Sequence, residues 1–270
     1  MCLVALAWRV HPRWTLALAA NRDEFHARPA AAAGIDPDAP DVYGGRDLVA
    51  GGGWLQVSTR GRLAAVTNVR AGGLPMEALP RSRGWLVREF VRGDDDATDF
   101  GEALAPTAAE YGRINLVTCD GASLSSAGNH PAFAHRVVAP GVHAMSNGAF
   151  DAPWPKSVRA TRALAAWLDS DAAGALGADA GESRVAAAIE PLFTALRDTT
   201  RAPDDELPDT GVGLELERAL SPPFVLDARY GTRCSSVVLM ATDRIVFAER
   251  RFGPDGAVLG TSLASFPGSP

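Results

Sequence analysis

Cys2 directly follows the initiator Met1. Aminopeptidases remove an initiator methionine when the second residue is small, so processing would leave Cys2 as the first residue. A cysteine in that place carries a thiol of pKa about 8.5 and an α-amino group of pKa roughly 7.7–8.0. Nucleophile and base then belong to one residue, and no distant histidine is needed to activate the thiol. An inert second-residue cysteine is the alternative. Asn21-Arg22-Asp23-Glu24 offers the complementary groups. A cation such as Arg22 beside a thiol raises its thiolate fraction, and a carboxylate such as Asp23 can hold an α-ammonium. The same four residues also read as a solvated loop or a simple Arg–Asp pair. Asn68 and Asn147 fall where strands end. A side-chain amide is a neutral donor suited to an oxyanion, where losing one donor costs roughly 2.7–4 kcal/mol of barrier stabilisation. Asn147-Gly148 reads equally as a turn. Arg233, in Tyr230-Gly231-Thr232-Arg233, is suited to gripping a substrate carboxylate through two hydrogen bonds, or to pairing with a surface acid.

For these groups to meet, the chain must fold back early. Leu3 to Arg9 and Trp14 to Ala20 are mostly apolar runs separated by His11-Pro12, which predicts a hairpin. Its second strand ends near the beginning of the first, next to Cys2. Beyond the polar cluster, Arg28 to Asp41 is Pro- and Ala-rich and reads as a loop. Trp54 to Ser58 and Leu63 to Asn68 are strands joined by the Arg60-Gly61 turn. Ser82 is placed to cap a helix carrying Trp85, Leu86, Phe90 and Val91, and Asp94 to Tyr111 reads as a second helix. Strands resume at Ile114 to Cys119 and continue to about Met145. Ala160 to Leu168 and Arg184 to Arg197 are helical. Ser236 to Ala241 and Ile245 to Arg251 form a closing hairpin through Thr242-Asp243, while Pro203 to Pro208 reads as a surface loop. Hairpins dominate over strand-helix-strand alternation, which predicts paired antiparallel sheets with helices packed outside.

Composition narrows the function classes. The 270 residues are 47% hydrophobic and 21% charged, enough apolar side chain for a large core. No window reaches the roughly 18 apolar residues of a membrane span. The net charge of −6 argues against nucleic acid as a partner. Lys156 is the single lysine; every other basic residue is arginine. Cys2, Cys119 and Cys234 form neither a disulfide framework nor a zinc pattern, and the five histidines show no metal-binding spacing. With no leader-like N-terminus, the expected compartment is the reducing cytoplasm.

The chain resembles the NRDE proteins, the transport and Golgi organisation 2 family. The resemblance rests on Met1-Cys2, Asn21-Arg22-Asp23-Glu24, Gly52-Gly53-Trp54-Leu55, the run from Gly61 to Arg70, Ser82-Arg83-Gly84, the run from His143 to Asn147, Pro153-Trp154-Pro155-Lys156, and Tyr230-Gly231-Thr232-Arg233. It implies an α+β fold over residues 1–270, a four-layer αββα sandwich of two antiparallel sheets, N-terminal nucleophile hydrolase-like. The cysteine branch of those hydrolases, typified by penicillin V acylases and bile-salt hydrolases, implies Cys2 as nucleophile and Asp23 as holder of the α-amine. It implies Asn68 and Asn147 as oxyanion or amine partners, Arg22 as the activating cation and Arg233 as polar support. In the acylases the arginine precedes the aspartate by three residues; here Arg22 and Asp23 are adjacent, so on a regular strand they face opposite ways. The expected activity is hydrolysis of a small amide or N-acyl substrate, with no cofactor required. The family's association with secretion, haem trafficking and lipid or acyl-CoA handling implies the alternative: a carrier of haem or an acyl lipid using the same cleft. Cys2, His26, His143 and Met145 are the residues able to ligate haem, and their spacing is not diagnostic. Oligomeric state is left open.

Overall fold

The structure, a computed structural model, describes residues 2–72 and 81–268. β1 (Cys2–Trp8) and β2 (Leu16–Phe25) form the expected hairpin. They are followed by β3 (Ala30–Asp36), β4 (Ala39–Asp47), β5 (Gly53–Ser58) and β6 (Arg62–Asn68). After helices α1 (Gly84–Arg92) and α2 (Ala97–Ala103) come β7 (Ile114–Cys119), β8 (Leu124–Gly128), β9 (Ala134–Val137) and β10 (Gly141–Met145). Helices α3 (Pro155–Leu168), α4 (Asp171–Gly174), α5 (Glu182–Leu196) and α6 (Leu214–Ala219) precede β11 (Tyr230–Met240), β12 (Arg244–Phe252) and β13 (Val258–Pro267). One sheet has the order β10-β1-β2-β11-β12-β13; the other runs β3 to β9 in sequence. All strand pairings within both sheets are antiparallel.

Alternation of side chains along each strand divides the apolar residues between two faces. Val4, Leu6, Leu18, Val238 and Phe247 of the first sheet meet Trp54, Leu55, Leu63 and Val117 of the second. The opposite face of the first sheet, with Leu3, Ala5 and Val237, packs on Leu164 of α3 and Ile189 and Leu192 of α5. On the outside of the second sheet, Val66 and Leu116 receive Leu86, Phe90 and Val91 of α1. The molecule is therefore an αββα sandwich. Strands covered on both faces explain why β1 reads as one unbroken apolar run.

Several local expectations are corrected. Arg28 to Asp41 is not a loop: β3 and the start of β4 lie within it, the two strands paired to each other and, through β4, to β5. Alanine has little intrinsic strand preference, so pairing and burial decide the conformation there. Ser82 does not cap α1; Arg83 holds the cap position without a side-chain bond, and Trp85 stays half exposed. Between Asp94 and Tyr111 only α2 and a short 3-10 turn at Ala108–Glu110 are helical, with Asp96 as the cap. β2 continues through Asn21-Arg22-Asp23-Glu24, so the polar cluster is strand and not loop. β13 was not expected; alternation there is broken by Gly260, Thr261 and Ser262.

Candidate active site

The register of the N-terminal hairpin sets Cys2 opposite Arg22, and β11 sets Cys234 opposite the same arginine from the other side. Directly opposed residues project to one face, here the face between the sheets. The guanidinium of Arg22 thus shares a face with the Cys2 thiol, and both are buried. Asp23, next along β2, projects to the helix-covered face, as adjacency on a strand requires. The irregularity lies in β11, where the register shifts between Thr232 and Cys234 and Arg233 is the extra residue. Met1 is outside the described residues.

On its own face Asp23 is buried and accepts a 2.6 Å hydrogen bond from Thr232 Oγ1. Burial pushes its carboxyl upward, against the opposing pull of Lys156, Thr232 and Arg22. Lys156 is the residue that the sequence reading did not place. It belongs to the first turn of α3, behind Pro155, and is 2% exposed. Its Nζ donates to Asn147 Oδ1 at 3.3 Å. Desolvation brings its ammonium down to about 8, with Asp23, Cys2 and Glu217 pulling it back up and Arg70 adding to the fall. The positive end of the α3 dipole acts in the same direction as the desolvation. The signal was present in the sequence, as the single lysine of an arginine-rich chain, within Pro153-Trp154-Pro155-Lys156.

Asn68 closes β6, and Asn147 lies just past β10. Asn147 is fully buried and spends its Nδ2 on Asn68, at 2.9 Å to the backbone oxygen and 3.2 Å to Oδ1. Its backbone oxygen accepts from Arg70 N at 2.7 Å. The two asparagines therefore differ: Asn147 commits its amide protons to Asn68, whereas Asn68 is half buried and uses its oxygens as acceptors in this pair. Ser146 Oγ donates to the Cys2 carbonyl oxygen at 2.9 Å, tying the start of β1 to the end of β10. Behind them Arg70 pairs with Glu217 of α6 at 2.9 Å and lies over the Trp154 ring at 4.7 Å. Arg70, Glu217, Thr232 and Ser146 support the site without having been singled out as its members.

Arg233 is engaged elsewhere. Its Nη1 donates to the carbonyls of Phe25 and Arg28, each at 2.9 Å, so it anchors the chain leaving β2. It still lines a cavity with Arg22. Among the four residues considered for haem, Cys2 and Met145 share the inter-sheet cluster, while the two histidines are bonded elsewhere. His143 has both ring nitrogens occupied, by Asp151 at 2.9 Å and the Ala139 carbonyl at 3.0 Å. His26 is bound to the Asp227 carbonyl, and Met145 is fully buried in the inter-sheet core. None of the described helices is long and apolar enough to cross a membrane.

Comparisons with known proteins agree with this architecture. A solved structure of a Caenorhabditis elegans N-acylethanolamine-hydrolyzing acid amidase ortholog superposes with a TM-score of 0.50 at 9% identity, over 89% of this chain and 92% of that one. It shows a shared fold, no more. The bovine Transport and Golgi organization protein 2 homolog is 31% identical, and the human one 29%, each over 93% of this chain and 92% of the relative. The family model described as Transport and Golgi organisation 2 matches residues 1–254, and the chain belongs to that family.

Proposed function

We propose that the protein is an N-terminal cysteine amidohydrolase acting on a small amide or N-acyl compound. One observation carries the reading. The start of β1 meets Arg22 on one face of β2, and Asp23, Lys156, Asn147 and Asn68 gather around the same strand end. The fold is shared with an amidase, but fold alone does not decide chemistry; the reading rests on the site.

After removal of Met1, the freed α-amine takes the thiol proton as Cys2 Sγ attacks the carbonyl carbon. The Asn68 amide donates to the developing oxyanion, with Asn147 fixing its orientation. Collapse breaks the C–N bond, and the α-ammonium returns its proton to the leaving amine. Water, deprotonated by the same amine, then attacks the thioester, releasing the acid and restoring the thiol. Asp23 holds the α-ammonium, and Arg22 favours the thiolate.

The test is intact-mass spectrometry of natively produced protein before and after an activated N-acyl probe. The expected result is loss of Met1 and one acyl adduct on the wild type, with none on Cys2→Ala. A wild type that forms no adduct overturns the reading. A retained Met1, leaving Cys2 without a free amine, would favour the carrier alternative for haem or an acyl lipid.

A further inference from the structure

A cavity of about 180 Å³ opens between the sheets beside the site, on the β11 side of Arg22. It is too small for a porphyrin. Four arginines line it, Arg22, Arg46, Arg233 and Arg251, against a single acidic residue, Glu249. Arginine remains charged in proteins, and like charges held together in a partly dry space repel. The charges inside the protein do not balance them. The nearest acid to Arg22 is Glu24, at 4.0 Å. Among the described residues, Arg46 and Arg251 form no ion pair, and the buried Arg251 Nε has no hydrogen-bond partner. Glu249 accepts from Ala33 N at 2.8 Å and feels both Arg251 and Arg22, one negative charge shared among the four arginines.

The cavity is also shaped to admit the guanidinium groups. Gly260, opposite Arg251 in β13, leaves room for it; a Cβ there would come within 2.5 Å of Arg251 Nη2. Gly45 does the same for Glu249, whose Oε2 would lie 3.2 Å from a Cβ. Trp54, Phe252 and Leu259 supply apolar wall, and Leu259 is 66% exposed at the mouth. Charge therefore lies inside and hydrocarbon at the entrance.

We propose that this cavity is a binding site for a small oxyanion, a carboxylate or phosphate carried on an organic ligand. Guanidinium forks match both groups through paired hydrogen bonds. Cys2 lies across Arg22 from the cavity, so a ligand anchored here presents its next atoms toward the thiol. The substrate class of the proposed hydrolase narrows accordingly to amides or N-acyl compounds bearing an acidic group; that step rests on the proposed function, whereas the anion site does not.

The experiment titrates inorganic phosphate and, separately, succinate into the Cys2→Ala protein, followed by backbone amide NMR shifts. Saturable shifts confined to β2, β4, β11 and β12 are expected with at least one probe. Phosphate alone assigns a phosphate site, and succinate alone a carboxylate site. Arg251→Gln and Arg46→Gln should each weaken binding about tenfold, the loss of one charge-assisted bond pair. Arg46 is half exposed, so its variant carries the test should Arg251→Gln misfold. Absence of saturable binding by both probes, or unchanged affinity in the arginine variants, overturns the inference. Because no chemistry occurs in Cys2→Ala, failure here leaves the acylation test untouched. Anion binding by a wild type that never acylates would overturn the hydrolase reading alone.

Discussion

The ammonium of Lys156 and the thiol of Cys2 are close enough for each charge to act on the other. Neither can move far, because Lys156 is buried and the Cys2 carbonyl is held by Ser146. A unit charge in such a partly dry site is worth about 1–3 kcal/mol to a neighbour. Lys156→Met should therefore slow alkylation of Cys2 by iodoacetamide at pH 7 about tenfold, whereas Lys156→Arg, which keeps the charge, should retain most of the rate. Adduct mass against time measures it; equal rates in the wild type and Lys156→Met would show that the ammonium does not act on the thiol. The asparagines separate by a second test. In the proposed mechanism the half-exposed Asn68 donates to the oxyanion, so Asn68→Ala should cut acyl-adduct formation by about a hundredfold. Its urea midpoint should barely change. A large loss of stability would mean that Asn68 is a scaffold like Asn147.

At the scale of elements, two strand ends and one helix start must be held in register. Gly148 is the tight point. A Cβ there would come within 2.5 Å of the ring of Trp154, the residue at the N-cap position of α3, whose ring lies against Arg70. The ring is hemmed in, so Gly148→Ala should destabilise the protein by about 1–3 kcal/mol, read as a lowered urea midpoint. It should also reduce acyl-adduct formation by shifting Lys156 relative to Asn147. Such contacts explain which parts could be read in advance. The N-terminal hairpin was legible because β1 and β2 are near-continuous apolar runs with a proline between them, and its pairing places Arg22 against Cys2. The ends of β6 and β10 gave Asn68 and Asn147 for the same reason. Lys156 was not legible as a site member because its partners come from β1, β2, α6 and the segments just past β6 and β10, brought together only by packing of α3 on the first sheet. The segment from Arg28 to Asp41 failed differently: its alanines carry no alternation strong enough to mark a strand, and β3 takes its place through pairing with β4 and a bond from Ala33 N to Glu249. Arg233 reads in the sequence as a grip for a substrate carboxylate or a partner for a surface acid, and by resemblance as polar support; a bulge in β11 gives its Nη1 to two backbone carbonyls while the residue still lines the cavity with Arg22, and no single-sequence pattern announces a bulge.

At the scale of the whole molecule, four layers create a dry interior, and charged groups are retained inside it at a cost. Lys156 is the clearest instance: burial, helped by Arg70 and opposed by Asp23, Cys2 and Glu217, leaves its ammonium at about 8 against its ordinary 10.5. Proton counting gives the sign. Below pH 8 both folded and unfolded chains hold the proton, and the folded state bears the full cost. Between pH 8 and 10.5 the folded chain has released a proton that the unfolded chain still binds, so folding stability rises with pH. Cys119, Cys234 and Tyr43 are pushed upward by burial and contribute with the opposite sign above their ordinary values. They are common to wild type and to Lys156→Met, so they cancel in the difference between the two. That difference should shift in favour of the wild type by about 2 kcal/mol between pH 7 and 9.5. Urea unfolding of both proteins at the two pH values measures it. A difference independent of pH would mean that the ammonium is solvated in the folded protein, and the closed polar end of the sandwich would then have to be open to water.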